Sequence, residues 1–143
     1  MNREPLRIVI AGKPVAKARP RYSARSKHFY TPSNTRKAED VIRSEARLAL
    51  KNQKPFLGPL RVRVDALIPV PKSWPGIKKD LALSGRAHPG KPDVDNYAKL
   101  ALDALNDVVF ADDAQVVDVR ATKQFAIKGA TIITVEEYRK CVV

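Results

Sequence analysis

"GPLRVRVDALIPV", Gly58 to Val70, is the stretch from which the fold can be read. Leu60, Val62 and Val64 alternate with Arg61, Arg63 and Asp65, the period of two expected of a strand with one buried face. Gly58-Pro59 marks its start. Working back from it, a helix is expected from Ser33 or Asn34, either one an N-cap, to about Asn52. Ala38, Val41, Ile42, Leu48 and Ala49 recur there at helical spacing, and Glu39 precedes Arg43 by four residues as a surface pair. Earlier still, "LRIVIAG", Leu6 to Gly12, reads as a first strand stopped by Gly12 and Pro14. Working forward, a second helix starts between Asp93 and Asn96 and ends near Asn106. Pro92 stands just before it, as helix entries tolerate, and Ala98, Ala101, Leu102 and Leu105 form its buried face. "AQVVDVRATKQFA" and "ATIITVEEY" then read as a hairpin across Lys128-Gly129. The order strand-helix-strand-loop-helix-strand-strand predicts an α+β fold, a mixed β-sheet with two main α-helices packed against it.

The 143 residues suit one domain over 1–143. Two segments stand apart from its regular elements. Residues 13–37 carry eight basic residues, Lys13, Lys17, Arg19, Arg21, Arg25, Lys27, Arg36 and Lys37, and no acidic one. Pro14, Pro20 and Pro32 break any long helix, so this is a basic loop or arm with Tyr22, Phe29 and Tyr30 interleaved. Residues 71–91 are an excursion bounded by Pro and Gly, with Leu81 to Leu83 touching the body. Trp74 within it is a core or loop anchor, or a platform for a base.

Twenty-seven Lys and Arg face 15 Asp and Glu, a formal net charge of +12. Such a surplus favours a polyanionic partner, most often nucleic acid. No apolar run approaches the roughly 18 residues of a membrane span, and the N-terminus has no secretory h-region with a cleavage site. A cytoplasmic protein with no membrane partner is expected. Cys141 is the lone cysteine, which excludes a disulfide framework and a cysteine zinc site; its place near the end argues against a catalytic thiol.

Against this basic background, Asp93 to Asp113 holds six acids, Asp93, Asp95, Asp103, Asp107, Asp112 and Asp113, and one base, Lys99. Asp95, Lys99 and Asp103 fall on one stripe of the helix. Taken singly, each has a plain structural reading. Asp at a helix start is commonly a cap, Asp95 and Lys99 make an ordinary i, i+4 pair, and Asp112-Asp113 suits a turn. Taken together they fit a hard divalent cation such as magnesium, which takes one or two carboxylates plus water and substrate phosphate. Carboxylates gathered without a cation repel one another. A nucleic-acid backbone held by the surrounding bases and cut with metal assistance accounts for both charges. Other chemistries lack parts. His28 and His88 have no metal-ligand spacing, no nucleophile elbow is present, and "SGRAHPGK" lacks the Ser or Thr of a phosphate loop.

"KPDVDNYAKLALDALNDVVFADDAQVVDV", Lys91 to Val119, resembles the signature of the RusA-type Holliday junction resolvases of bacteria and their phages. The shared pattern is a basic residue, an optional proline, D-x-D-N, a lysine four residues after the second aspartate, D-A-L, then D-D-x-Q-V. An early strand ending in Gly-x-Pro, "ARPR" and a terminal strand pair agree more loosely. The resemblance implies a homodimeric, magnesium-dependent endodeoxyribonuclease, with manganese substituting and no organic cofactor. Its substrate would be four-way DNA junctions in recombination and repair, cut by paired symmetric nicks. Carried over by position, Asp93, Asp95 and Asp113 are the metal-binding and catalytic aspartates and Lys99 the catalytic lysine. Asp112 is a further candidate metal ligand beside that set, and Asp103 either braces Lys99 or touches metal. Lys13, Lys17, Arg19, Arg21, Arg25, Lys27 and Lys91 are the expected DNA contacts, with Arg61, Arg63, Lys78, Lys79 and Arg86 beside them. The three aspartates are expected to converge on one ion.

Two alternatives remain at this level. A PD-(D/E)xK-like nuclease acting on flaps or duplexes is loosely suggested by Pro92-Asp93, although its nearest later candidate, Asp118-Val-Arg120, has Arg where that pattern wants Lys. A non-catalytic nucleic-acid-binding protein would use the acids as caps and turns only.

Overall fold

The computed structural model describes residues 3–30 and 32–139; Cys141 lies outside the described residues. The elements run β1 (Leu6–Ala11), β2 (Arg21–Ser23), β3 (His28–Tyr30), α1 (Ser33–Leu50), β4 (Leu60–Pro69), α2 (Gly76–Leu83), α3 (Val94–Leu105), a 3-10 turn (Asp113–Gln115), β5 (Val116–Ala126) and β6 (Ala130–Glu137). Four strands form a mixed sheet in the order β1-β6-β4-β5, and β2 and β3 form a separate two-stranded ribbon. The fold is α+β, as the sequence predicts.

β4 holds the centre because its alternation is complete. Leu60, Val62, Val64 and Ala66 are fully buried beneath the helices, while Arg61, Arg63 and Asp65 face the open side. α1 contributes Ile42, Ala46 and Leu50 to this core, and α3 contributes Tyr97, Leu100, Ala101, Ala104 and Leu105. Phe56 and Phe110 close the end of the core beside the C-terminus of α3. No helix among the described residues is long and apolar enough to cross a membrane.

The expected hairpin is corrected. β5 and β6 do not pair with each other; both flank β4, β5 parallel and β6 antiparallel to it. The link of Ile127, Lys128 and Gly129 crosses two inter-strand spacings, about 10 Å, which three residues can span. Parallel pairing of β4 with β5 needs a crossover, and the segment carrying α2 and α3 supplies it. Gly129 lies against the first strand: Gly12 N–H donates to its carbonyl at 3.0 Å.

Smaller differences follow from tertiary context. Helix α1 begins after its N-cap Pro32, whose carbonyl accepts from Thr35 and Arg36 N–H; Ser33 and Asn34 are helical residues rather than the N-cap, and Asn34 Oδ1 accepts from Thr35 N–H at 2.9 Å within the first turn. Arg36 and Lys37 therefore belong to α1 rather than to the arm. Val41 and Leu48 are exposed, and Arg43 pairs with Asp40 at 3.0 Å instead of with Glu39. The 71–91 excursion contains a third, short helix, α2. Trp74 anchors it by packing edge-on to Phe125, ring centroids 5.3 Å apart, with Lys78 Nζ 3.9 Å from its own ring centroid.

Candidate active site and nucleic-acid interface

Helix α3 organises the site. Asp93 is its N-cap in extended conformation, yet its carboxylate makes no cap hydrogen bond. Asn96 N–H instead uses the Asp93 carbonyl at 3.1 Å, leaving the carboxylate oxygens for another partner. One turn on, Asp95 and Lys99 pair at 3.3 Å, both side chains well exposed. Asp93, Asp95, Asn96 and Lys99 form one wall of a cleft whose other wall is Lys17, Ala18, Arg19 and Pro20. The cleft holds about 290 Å³, several times the roughly 30 Å³ share of one water, so a phosphodiester with attendant waters fits. A second recess, lined by Arg19, Lys91, Pro92, Asp93 and Asn96, adjoins it.

The basic wall is fastened to α3. Lys17 N–H donates to the Asn96 carbonyl at 2.9 Å, and the Lys17 ammonium pairs with Asp103. Asp103 thus binds Lys17; it does not brace Lys99. The entrance to α3 is held from the sheet side: Lys123 Nζ donates to the Gly90 carbonyl and, at 3.1 Å, to that of Pro92. Nothing in the sequence signals this contact across some thirty residues. Asn96, by contrast, was visible as the fourth residue of D-x-D-N.

Beyond Arg19, the arm folds into the β2–β3 ribbon. Arg21 lies on β2, Arg25 and Lys27 lie in its turn, and Tyr22 and Phe29 pair with ring centroids 5.3 Å apart. Tyr22, Phe29 and Tyr30 are all exposed. Lys13 sits apart, at the mouth of an apolar recess with Ile10, Val15 and Val41. Arg61 and Arg63 are occupied on the open face of the sheet, Arg61 with Asp118 at 2.8 Å and Glu136 at 3.3 Å, Arg63 with Asp65 at 3.0 Å.

The carboxylates expected to converge are not all brought together by one chain. Asp112 caps the 3-10 turn, accepting from Ala114 N–H at 3.3 Å in a reciprocal arrangement with Gln115. Asp113 follows it, exposed, as the first residue of that turn, three residues before β5. Gln115 ties this turn to the Phe56 and Gly58 carbonyls at 3.1 and 3.0 Å. Phe56 in turn bridges to Phe110, which bridges to Asn106 at the end of α3. Asp113 therefore lies near the C-terminal end of α3, and Asp93 and Asp95 at its N-terminal end. The twelve residues of α3 rise about 18 Å, and Val116 to Lys123 on β5 spans about 23 Å. Among the described residues no group of three or more potential metal-binding side chains is close enough to hold an ion.

Residues 11–136 match the family described as Endodeoxyribonuclease RusA. The chain belongs to the RusA endodeoxyribonuclease family. Family membership gives the activity class, internal cleavage of DNA strands, and a branched-DNA context. The chain is also similar to a protein of Bacillus subtilis (strain 168) described as "Uncharacterized protein YqaN", 32% identical over 140 residues, covering 92% of this chain and 96% of that protein. In this RusA-family chain, Asp118 is held in ion pairs with Arg61 and Arg120 on the open sheet face, which leaves no support for the PD-(D/E)xK reading of Asp118-Val-Arg120.

Proposed function

We propose that this chain resolves four-way DNA junctions by magnesium-dependent phosphodiester hydrolysis, acting in the cytoplasm as a homodimer in recombination and repair. The observation that carries the reading is the cleft at the start of α3, with Asp93 and Asp95 on one wall and Lys17 and Arg19 on the other. Two carboxylates with free oxygens in a wet, open cleft suit a cation that keeps several waters and takes substrate phosphate as a further ligand. Asp93, Asp95 and Asp113 are the proposed metal and catalytic carboxylates. Magnesium would supply an activated water and stabilisation of the leaving oxygen; manganese, with similar ligand preferences, should substitute. The protein's part is positional. Arg19, Lys91 and the ribbon bases Arg21, Arg25 and Lys27 hold the backbone, and Lys99 compensates charge on the phosphate beside Asp95. A two-fold dimer offers two equivalent sites to a two-fold junction.

A labelled synthetic four-way junction, incubated with and without magnesium beside a linear duplex of the same sequence, tests this. The expected result is paired nicks in the junction alone, only with metal. Asp95→Asn should reduce nicking by about a hundred- to a thousandfold, the scale of one lost charge-stabilising group, while junction binding persists. Lys99→Ala should slow cleavage with little loss of binding. Magnesium-indifferent binding with no nicking under any metal would make the protein a binding module and end this assignment.

A further inference from the structure

The β2–β3 ribbon keeps three aromatic rings in solvent. Tyr22 stands opposite Phe29, so the two share one face. Arg21 with Tyr30, and Ser23 with His28, take the other face. Neither face is covered: Phe29 is 74% and Tyr22 56% exposed, and Tyr30 is exposed as well. Among the described residues β2 and β3 pair only with each other. A cross-strand aromatic pair steadies a short ribbon, but that accounts neither for Tyr30, opposite Arg21, nor for the cations around the rings. Arg21, Arg25 and Lys27 all lie on the ribbon, and residues 13–37 hold no acid. Flat rings set among cations suit a polyanion that has π faces of its own, which is nucleic acid with its bases uncovered.

The ribbon continues directly from the cleft. Pro20 lines the cleft wall, and Tyr22 follows it by two residues, a reach of at most about 7 Å. Phe29 lies one strand spacing further, about 5 Å. The rings therefore stand within reach of the nucleotides next to the phosphate that the cleft would take. Lys27 N–H donates to the Ser23 carbonyl at 2.8 Å, which closes the turn and fixes Arg25 and Lys27 at the tip, in place for the backbone beyond.

We infer that the ribbon is a stacking platform for nucleobases left without a stacking neighbour, as they are at a branch point, with Phe29 as its principal ring. A continuous duplex keeps such faces inside its stack, so the platform favours branched DNA through base contact rather than charge. The inference rests on the branched-DNA reading for its substrate, but stacking can be measured without cleavage and without a junction.

Binding is measured in EDTA, so that nothing is cut, to a single-stranded thymidine oligomer and to an abasic oligomer with the same number of phosphates. Phe29→Ala should weaken binding of the thymidine strand by about five- to 150-fold, the range for one lost base stack, and leave the abasic oligomer bound as before. The dependence of affinity on salt should not change, because no phosphate contact is lost. Phe29→Leu keeps an apolar side chain opposite Tyr22 without a flat π face, and should behave as Phe29→Ala does. Phe29→Trp should bind as the wild type does. Its added fluorescence should be quenched by the thymidine strand and not by the abasic one, with the wild type giving the background from Trp74. Undiminished binding of the thymidine strand by Phe29→Ala, or an equal loss on the abasic oligomer, would overturn the inference. On a synthetic four-way junction Phe29→Ala should lose more affinity than on a linear duplex, and equal losses would overturn it too. A wild type that binds the junction no better than the duplex counts against the resolvase reading and leaves the two single strands to decide the platform.

Discussion

Gln115 joins four backbone groups through one amide: its oxygen accepts from Ala111 and Asp112 N–H, and its nitrogen donates to the Phe56 and Gly58 carbonyls. Gln115→Ala should destabilise the protein by about 1–2 kcal/mol, since it removes several hydrogen bonds, one of them to the part-buried Phe56 carbonyl. Urea unfolding checks this; an unchanged midpoint would show that water replaces the amide at no cost. The same variant should lose nicking beyond its loss of stability, because Asp113 sits on the turn that Gln115 fastens. At this scale the sequence was informative where partners are close along the chain. Asp95 and Lys99 pair as their spacing requires. The Lys17–Asp103 pair joins residues 86 apart, and no local rule reaches that far. Asp93 shows the converse: its place just before α3 suggests a cap, and only the structure shows that its carboxylate does not serve as one.

Strand and helix positions were legible because their punctuation is strong. Pro32, Gly58-Pro59 and Pro92 mark the starts of α1, β4 and α3, which begin within two residues of expectation. Strand order was not legible. A short Lys-Gly link favours neighbouring strands, but the fully apolar face of β4 claims the centre of the sheet and separates β5 from β6. That arrangement brings the link onto Gly12, where a Cβ at Gly129 would lie 2.9 Å from the Gly12 carbonyl oxygen. Gly129→Ala must therefore shift backbone and should cost about 1–3 kcal/mol, read as a lowered Tm; an unaltered Tm would mean that the strand ends part freely. β4, β5 and β6 also share the Arg61–Asp118–Glu136 cluster. The hydrogen bond from Arg61 holds the Asp118 carboxyl below its usual range, with Arg120 adding to the effect. Its folded-state value lies below the unfolded one, so the stabilisation is complete above about pH 4 and disappears as pH falls through the folded value. Asp118→Asn should flatten the acid limb of a Tm-against-pH curve in that window, and an identical limb would show that other carboxylates govern it.

For the molecule as a whole, affinity for DNA should fall steeply with salt, each phosphate contact adding about 0.9 to the logarithmic slope. Removing Arg25 and Lys27 together should lower that slope by about 1–2 and weaken all DNA substrates alike; an unchanged slope would place the backbone elsewhere. Overall charge made a nucleic-acid partner legible from composition, whereas the site's assembly was not, because spacing along a chain says nothing about which end of a helix a later strand returns to. The clamp that β5 places on the start of α3 carries a consequence for the cleft. Lys123 ties the entrance of α3, directly before Asp93, to the sheet, so a disturbance of β5 should be felt at the mouth of the cleft.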